Sequence, residues 1–203
     1  MDKMIDGTVI IGTAPSLHGQ EKGEYIDSFR YVIRFPYKGD WQVPIHYGTK
    51  TTHFCSTDRR AMVQLNSFLP DLGYFIWHKY NKDIGPELEF LIKKFGGENV
   101  TELINKWQLR HPKREHRSQS NCFSTGTAGI CIAAAKLGKP ITALGCDYIS
   151  NGGGPVEDYI GTWFWENGRK PTAGGYRRHH RFDSERRLID DMAKEYNVEI
   201  KFE

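Results

Sequence analysis

Apolar residues along this chain fall into short unbroken runs, separated by stretches with a helical period. The runs "TVIIGTA" (8–14), "YVIRF" (31–35), "TTHFCST" (51–57) and "GYFIWH" (73–78) have the length and residue types of buried strands. "GPELEFLIKKFGG" (85–97) sets Leu88, Leu91, Ile92 and Phe95 on one side of a helix that stops at paired glycines. "ENVTELINKWQL" (98–109) predicts a second short helix. The stretch 124–147, "STGTAGICIAAAKLGKPITALGCD", reads as a small polar turn and an almost wholly apolar helix, stopped by Gly138 and Pro140 ahead of a buried strand, "ITALGCD". "DSERRLIDDMAKEY" (183–196) is amphipathic, with Asp183 as N-cap and Leu188, Ile189, Met192 and Tyr196 facing inward, and "VEIKF" is the last strand. Strands alternating with helices predict an α/β fold: a Rossmann-like sheet flanked by helices, in a single domain spanning 1–203.

Composition narrows this only slightly. With 203 residues, 38% hydrophobic and 26% charged, the chain is sized for one good core. A net charge of +3 is too small to identify a nucleic-acid binder and suggests only mild attraction to anionic ligands. The four cysteines, at 55, 122, 131 and 146, form no CxxC pair, which argues against a zinc or redox motif. No signal peptide or membrane-spanning run is present, so the expected location is the cytoplasm and no membrane partner is expected.

Three places offer chemistry. "GTAPSLHG" (12–19) follows a buried strand but lacks both the GxGxxG spacing and a P-loop Gly-Lys-Ser/Thr. The turn "STGT" opens a helix whose free N–H groups, together with the hydroxyls of Ser124 and Thr125 and the bare backbone of Gly126, suit a phosphate; simple N-capping accounts for the same residues. In "HHRFDSERR" (179–187) a histidine precedes a helix and Glu185 lies in its first turn. An imidazole titrates near neutrality and can accept a proton from a hydroxyl, and the carboxylate can orient the ring or the local backbone. Equally, Glu185 can do no more than complement its own helix dipole.

Taken together and in order, these stretches resemble the sialyltransferases of glycosyltransferase family 29. "VIIGTAPSLHGQEKGEYIDSFRYVIRFPYKG", with "YGTKTTHF" after it, is similar to that family's large motif, and "FSTGTAGICIAAAKLGKPITALGCD" to its small motif. "WFWENGRKPTAGGYRRHHRFDSE" resembles the third motif followed by the very small motif, His-x4-Glu, here His180 and Glu185. The resemblance leaves 58–120 uncovered, a variable part that would serve as an acceptor-side insert or lid. It implies a sialyltransferase-like variant of the GT-A fold and an inverting, metal-independent glycosyltransferase using a CMP-activated or related nucleotide sugar, with no further cofactor. Carried over by position, His180 is the general base with Glu185 beside it, and the donor contacts are Gly12, Thr13, Ser16, Arg34, Ser124, Thr125, Gly126, Trp163 and His179. The family's large-motif asparagines correspond to Thr13 and Ser16, and a third to Pro36. Trp163 stands near the third motif's histidine, a phosphate-assisting role open to Arg177, Arg178 or His179. The cysteines that bridge the two larger motifs in secreted members have Thr8 and a residue near Gly138 in their places, in keeping with a reducing compartment. No Asp-x-Asp pair, commonly used by metal-dependent transferases, occurs.

The acceptor stays open between a glycan and DNA. "RHPKREHRSQS" (110–120) and "GYRRHHR" (175–181) are basic, and Trp77, Trp107, Trp163 or Trp165 could stack on an extruded base. Arg177, Arg178 and Trp165 are the acceptor or phosphate contacts on either view. A nucleotide-binding module without catalysis is the remaining alternative.

Overall fold

Buried on both faces, a parallel strand must be apolar at nearly every position, and the runs identified above form such strands. The computed structural model of the chain describes residues 4–12, 17, 19–35, 44–57, 72–77, 86–110, 124–146 and 182–203. In chain order these give β1 (Ile5–Ile11), α1 (Gly23–Asp27), β2 (Phe29–Arg34), α2 (Pro44–Tyr47), β3 (His53–Thr57), β4 (Gly73–Trp77), α3 (Pro86–Phe95), β5 (Glu98–Asn99) and α4 (Thr101–Gln108). There follow α5 (Thr125–Ile132), continued by a π-helical turn over Ala133–Leu137, then β6 (Ile141–Leu144), α6 (Phe182–Tyr196) and β7 (Ile200–Phe202). Gly138 ends the α5 segment in the left-handed conformation with φ at 59°, as the sequence predicts.

The seven strands make one sheet in the order β5-β4-β3-β2-β1-β6-β7, and every pairing is parallel. Alternate side chains of each strand feed opposite faces. Ile10, Ile33, Cys55 and Phe75 pack beneath α4, α5 and α6 in the larger core, which includes Ile104, Trp107, Ile130, Leu188, Ile189 and Met192. On the other face Val9, Ile11, Val32 and Leu144 pack with Ile26 and Tyr47 of α1 and α2. Phe54, Tyr74 and Ile76 pack there with Leu88 and Leu91 of α3. The result is a three-layer α/β sandwich of Rossmann-like character. Residues 72–77 and 86–110, within the stretch expected to be an insert or lid, build β4, α3, β5 and α4 and so belong to the sandwich itself.

Helix α5 sits in the middle of the larger layer. Residues Gly126 to Ile132 are all buried, because neighbours surround the helix on every side. Its approach to the sheet depends on Gly129, where a Cβ would come within 2.5 Å of the Phe35 ring.

Candidate functional site at the strand-order switch

Leaving β1, the chain builds the sheet outward through β2, β3, β4 and β5, then returns to place β6 on the other flank of β1. Ligands of open parallel sheets bind outside the carboxyl ends of the strands at such a reversal. Here the two carboxyl ends meet backbone to backbone. The Gly12 N–H donates to the Leu144 carbonyl at 2.7 Å. A Cβ on Gly12 would lie 2.1 Å from the Gly145 carbonyl oxygen and 2.8 Å from Cys146 Sγ, and Gly145 itself has φ at +63°. The neighbouring strand end therefore requires the glycine at position 12, whatever occupies the crevice.

Crossover helices run antiparallel to the strands they join, so the N-termini of α5 and α6 lie at this same edge. Ser124 caps α5, its Oγ accepting from the Thr127 N–H at 3.2 Å. In a capping box the third helical residue would supply a carboxylate to the cap's own N–H. Position 127 is a threonine, and the carboxylate arrives instead from 61 residues away: Glu185, in the first turn of α6, accepts from the Ser124 N–H at 3.2 and 3.1 Å. Glu185 Oε2 also accepts from Ser124 Oγ at 2.6 Å and from the Thr127 hydroxyl. Glu185 is 0% exposed, Thr127 0% and Ser124 5%. A buried carboxylate is tolerated when donors replace its water, and the positive end of α5 adds to the attraction. Hence the hydroxyls of Ser124 and Thr127 face a side chain of the protein, and Glu185 complements the dipole of a neighbouring helix in place of its own.

Arg34 ends β2 and is 1% exposed. Its Nε donates to the Lys50 carbonyl (3.1 Å) and to Thr51 Oγ1 (3.0 Å), and its Nη2 to the Tyr47 carbonyl (2.6 Å). Burial draws its pKa down to about 10, against the opposing effect of the Asp27 charge. Asp27 in turn accepts from the Thr49 N–H at 2.9 and 2.8 Å, the Thr49 hydroxyl at 2.9 Å and the Lys50 N–H at 2.8 Å. Lys50 Nζ donates to the carbonyl of Phe29. The "ID", "VIR" and "GTKTT" elements of the first half of the chain thus clasp one another, anchoring β2 to the segment that enters β3. His53, at the amino end of β3 and so on the opposite edge of the sheet, stacks on Phe75 at 5.3 Å, and burial lowers its pKa.

No protein-family model matches the chain, and no curated protein matches it. The structure brings Ser124 and Glu185 into contact, with Thr125 and Gly126 continuing from Ser124 in the first turn of α5 and Gly12 ending β1 at the switch. Thr13, Ser16, Trp163, Trp165, Arg177, Arg178, His179 and His180 lie outside the described residues. In the sequence, His180 stands two residues before the start of α6. Trp77 and Trp107, expected as candidates for stacking on a base, are 3% and 0% exposed core residues, and Trp107 Nε1 donates to the Tyr196 hydroxyl at 2.9 Å. That expectation is corrected for both: their rings already pack against the sheet and α6. Cys55, Cys131 and Cys146 are buried thiols; burial raises the pKa of Cys55 and pushes that of Cys131 up to about 12, so neither serves as a nucleophile at neutral pH. No helix among the described residues is long and apolar enough to cross a membrane.

Sequence reasoning missed Thr127, Gly145 and Asp27. The Ser-x-x-Thr spacing marks an N-cap, but nothing local in the sequence announces that its acid comes from another helix.

Proposed function

We propose that the protein is an inverting glycosyltransferase, with a sialyltransferase-like variant of the GT-A fold, that moves a sugar from a CMP-activated donor to an acceptor hydroxyl. The observation that supports this most is the contact between Ser124 and Glu185. The two stretches that resemble the family's small and very small motifs meet at one corner of the sheet, beside the switch where the first motif ends β1 at Gly12.

In this proposal the nucleotide lies across the carboxyl ends of β1 and β6. Ser124 is engaged by Glu185, so contact with the donor phosphate passes to Thr125 and Gly126 in the first turn of α5. His180 takes the proton of the acceptor hydroxyl as its oxygen attacks the anomeric carbon. The bond from that carbon to the phosphate oxygen breaks on the opposite face, and CMP leaves with the electron pair. A single phosphate develops less charge than a diphosphate, so backbone donors and nearby cationic side chains can stabilise it. A glycan hydroxyl is the preferred acceptor, since Trp77 and Trp107 are core residues unable to hold an extruded base.

The test is His180→Ala. It should abolish sugar transfer from a CMP-sugar while leaving CMP binding within about threefold of the unaltered protein, because a general base contributes about 10²–10⁴-fold to rate and little to nucleotide affinity. Transfer that survives the substitution would refute the assignment.

A further inference from the structure

We propose that Glu185 is a positioning residue: seated on the N-terminus of α5, its carboxylate fixes the first turn of α6 and, through it, the path of the chain arriving from His180. The role of His180 belongs to the transferase proposal above, but the placement of Glu185 stands without it. At 0% exposure the carboxylate is sealed from solvent and from any incoming hydroxyl. Its oxygens accept from one backbone N–H and two hydroxyls, all supplied by the first turn of α5. A group held this way does not exchange protons with a substrate.

The mechanical argument is local. Helix α6 begins at Phe182, and Glu185 lies one turn in, beside buried Ser184. Helix ends lack their full complement of hydrogen bonds and fray unless tied down. Leu188, Ile189 and Met192 hold the middle of α6 in the core, but they lie one turn or more beyond Glu185. The carboxylate is therefore the described tie nearest the start of α6, and it ties that start to the turn assigned to the donor phosphate. Both ends of the candidate site then move as one body.

The experiment uses the full chain and compares E185Q, E185A and the pair S124A/T127A. The readouts are calorimetric affinity for CMP and the imidazole NMR signals of His180, assigned by their loss in H180A. A glutamine oxygen can still accept from the two hydroxyls, so E185Q should keep the His180 signals near their original positions and CMP affinity within about threefold. E185A and S124A/T127A should both displace or broaden those signals and weaken CMP about tenfold or more, while circular dichroism shows folded protein. His180 signals unchanged in every variant would overturn the proposal. So would E185Q displacing them as far as E185A does, because the charge, and not the placement, would then be acting. If CMP fails to bind the unaltered protein, the transferase proposal falls, while the comparison of His180 signals still decides the role of Glu185.

Discussion

Replacing Gly12 by alanine tests whether the strand-order switch is built on backbone contact. The new Cβ would stand 2.1 Å from the Gly145 carbonyl oxygen and 2.7 Å from its carbon, both main-chain atoms that no rotamer change can move. An aliphatic carbon ordinarily keeps about 3.3–3.6 Å from a carbonyl oxygen, so the strand ends would have to part by about 1.2 Å. Parting them stretches the 2.7 Å bond from Gly12 N–H to the Leu144 carbonyl. Overpacking of this kind costs about 1–3 kcal/mol, and a lost hydrogen bond adds about 1 kcal/mol. A total of about 2–4 kcal/mol corresponds, for a domain of this size, to a fall in Tm of about 5–15 °C. Urea unfolding should show a lower midpoint with an unchanged slope. Gly19→Ala is the control: φ there is +82° but no atom lies within 4 Å, so only the backbone cost of about 1 kcal/mol applies. G12A as stable as the unaltered protein, or no worse than G19A, would refute the argument.

Asp27→Ala should cost about 1–3 kcal/mol in urea unfolding, since it strands the N–H groups of Thr49 and Lys50 and the Thr49 hydroxyl; a change below about 0.5 kcal/mol would show that the clasp contributes nothing. His53 carries a pKa lowered by burial from its ordinary 6.5. A base depressed in the folded state contributes stability that is complete above its unfolded pKa and lost as pH falls through its folded one. The stability gap between the unaltered protein and His53→Phe should therefore move against the unaltered protein as pH drops from about 7 to about 5, and a gap independent of pH would contradict this.

The strands were legible because parallel strands buried on both faces write themselves as unbroken aliphatic runs, as in Val9–Ile11 and Val32–Ile33. Helix α6 was legible from Leu188, Ile189 and Met192, although it starts at Phe182 and so carries Asp183 inside its first turn. Helices α1 and α2 were not, because five and four residues are too few to show a period. What shapes them is their mutual contact: a Cβ on Gly23 would lie 2.0 Å from the Pro44 carbonyl oxygen. Strand β5 was hidden for a related reason, its Glu98 and Asn99 being exposed edge residues with no apolar signature. At the site, capping by Ser124 could be read from the sequence, whereas its bond to Glu185 could not, since helix packing brings them together across 61 residues. The aromatic surplus pointed outward to a cleft, but Trp77 and Trp107 fill the core instead.

The central claim is that the crevice between β1 and β6, bordered by the first turn of α5, holds a cytidine monophosphate. Thermal unfolding with CMP, UDP and GDP in parallel tests it most directly. A ligand at about 100 times its Kd adds about 2.7 kcal/mol to the folded state, or about 5–10 °C here. The account predicts that rise with millimolar CMP and little or none with UDP or GDP. An unmoved Tm with CMP beside a clear rise with UDP would contradict it.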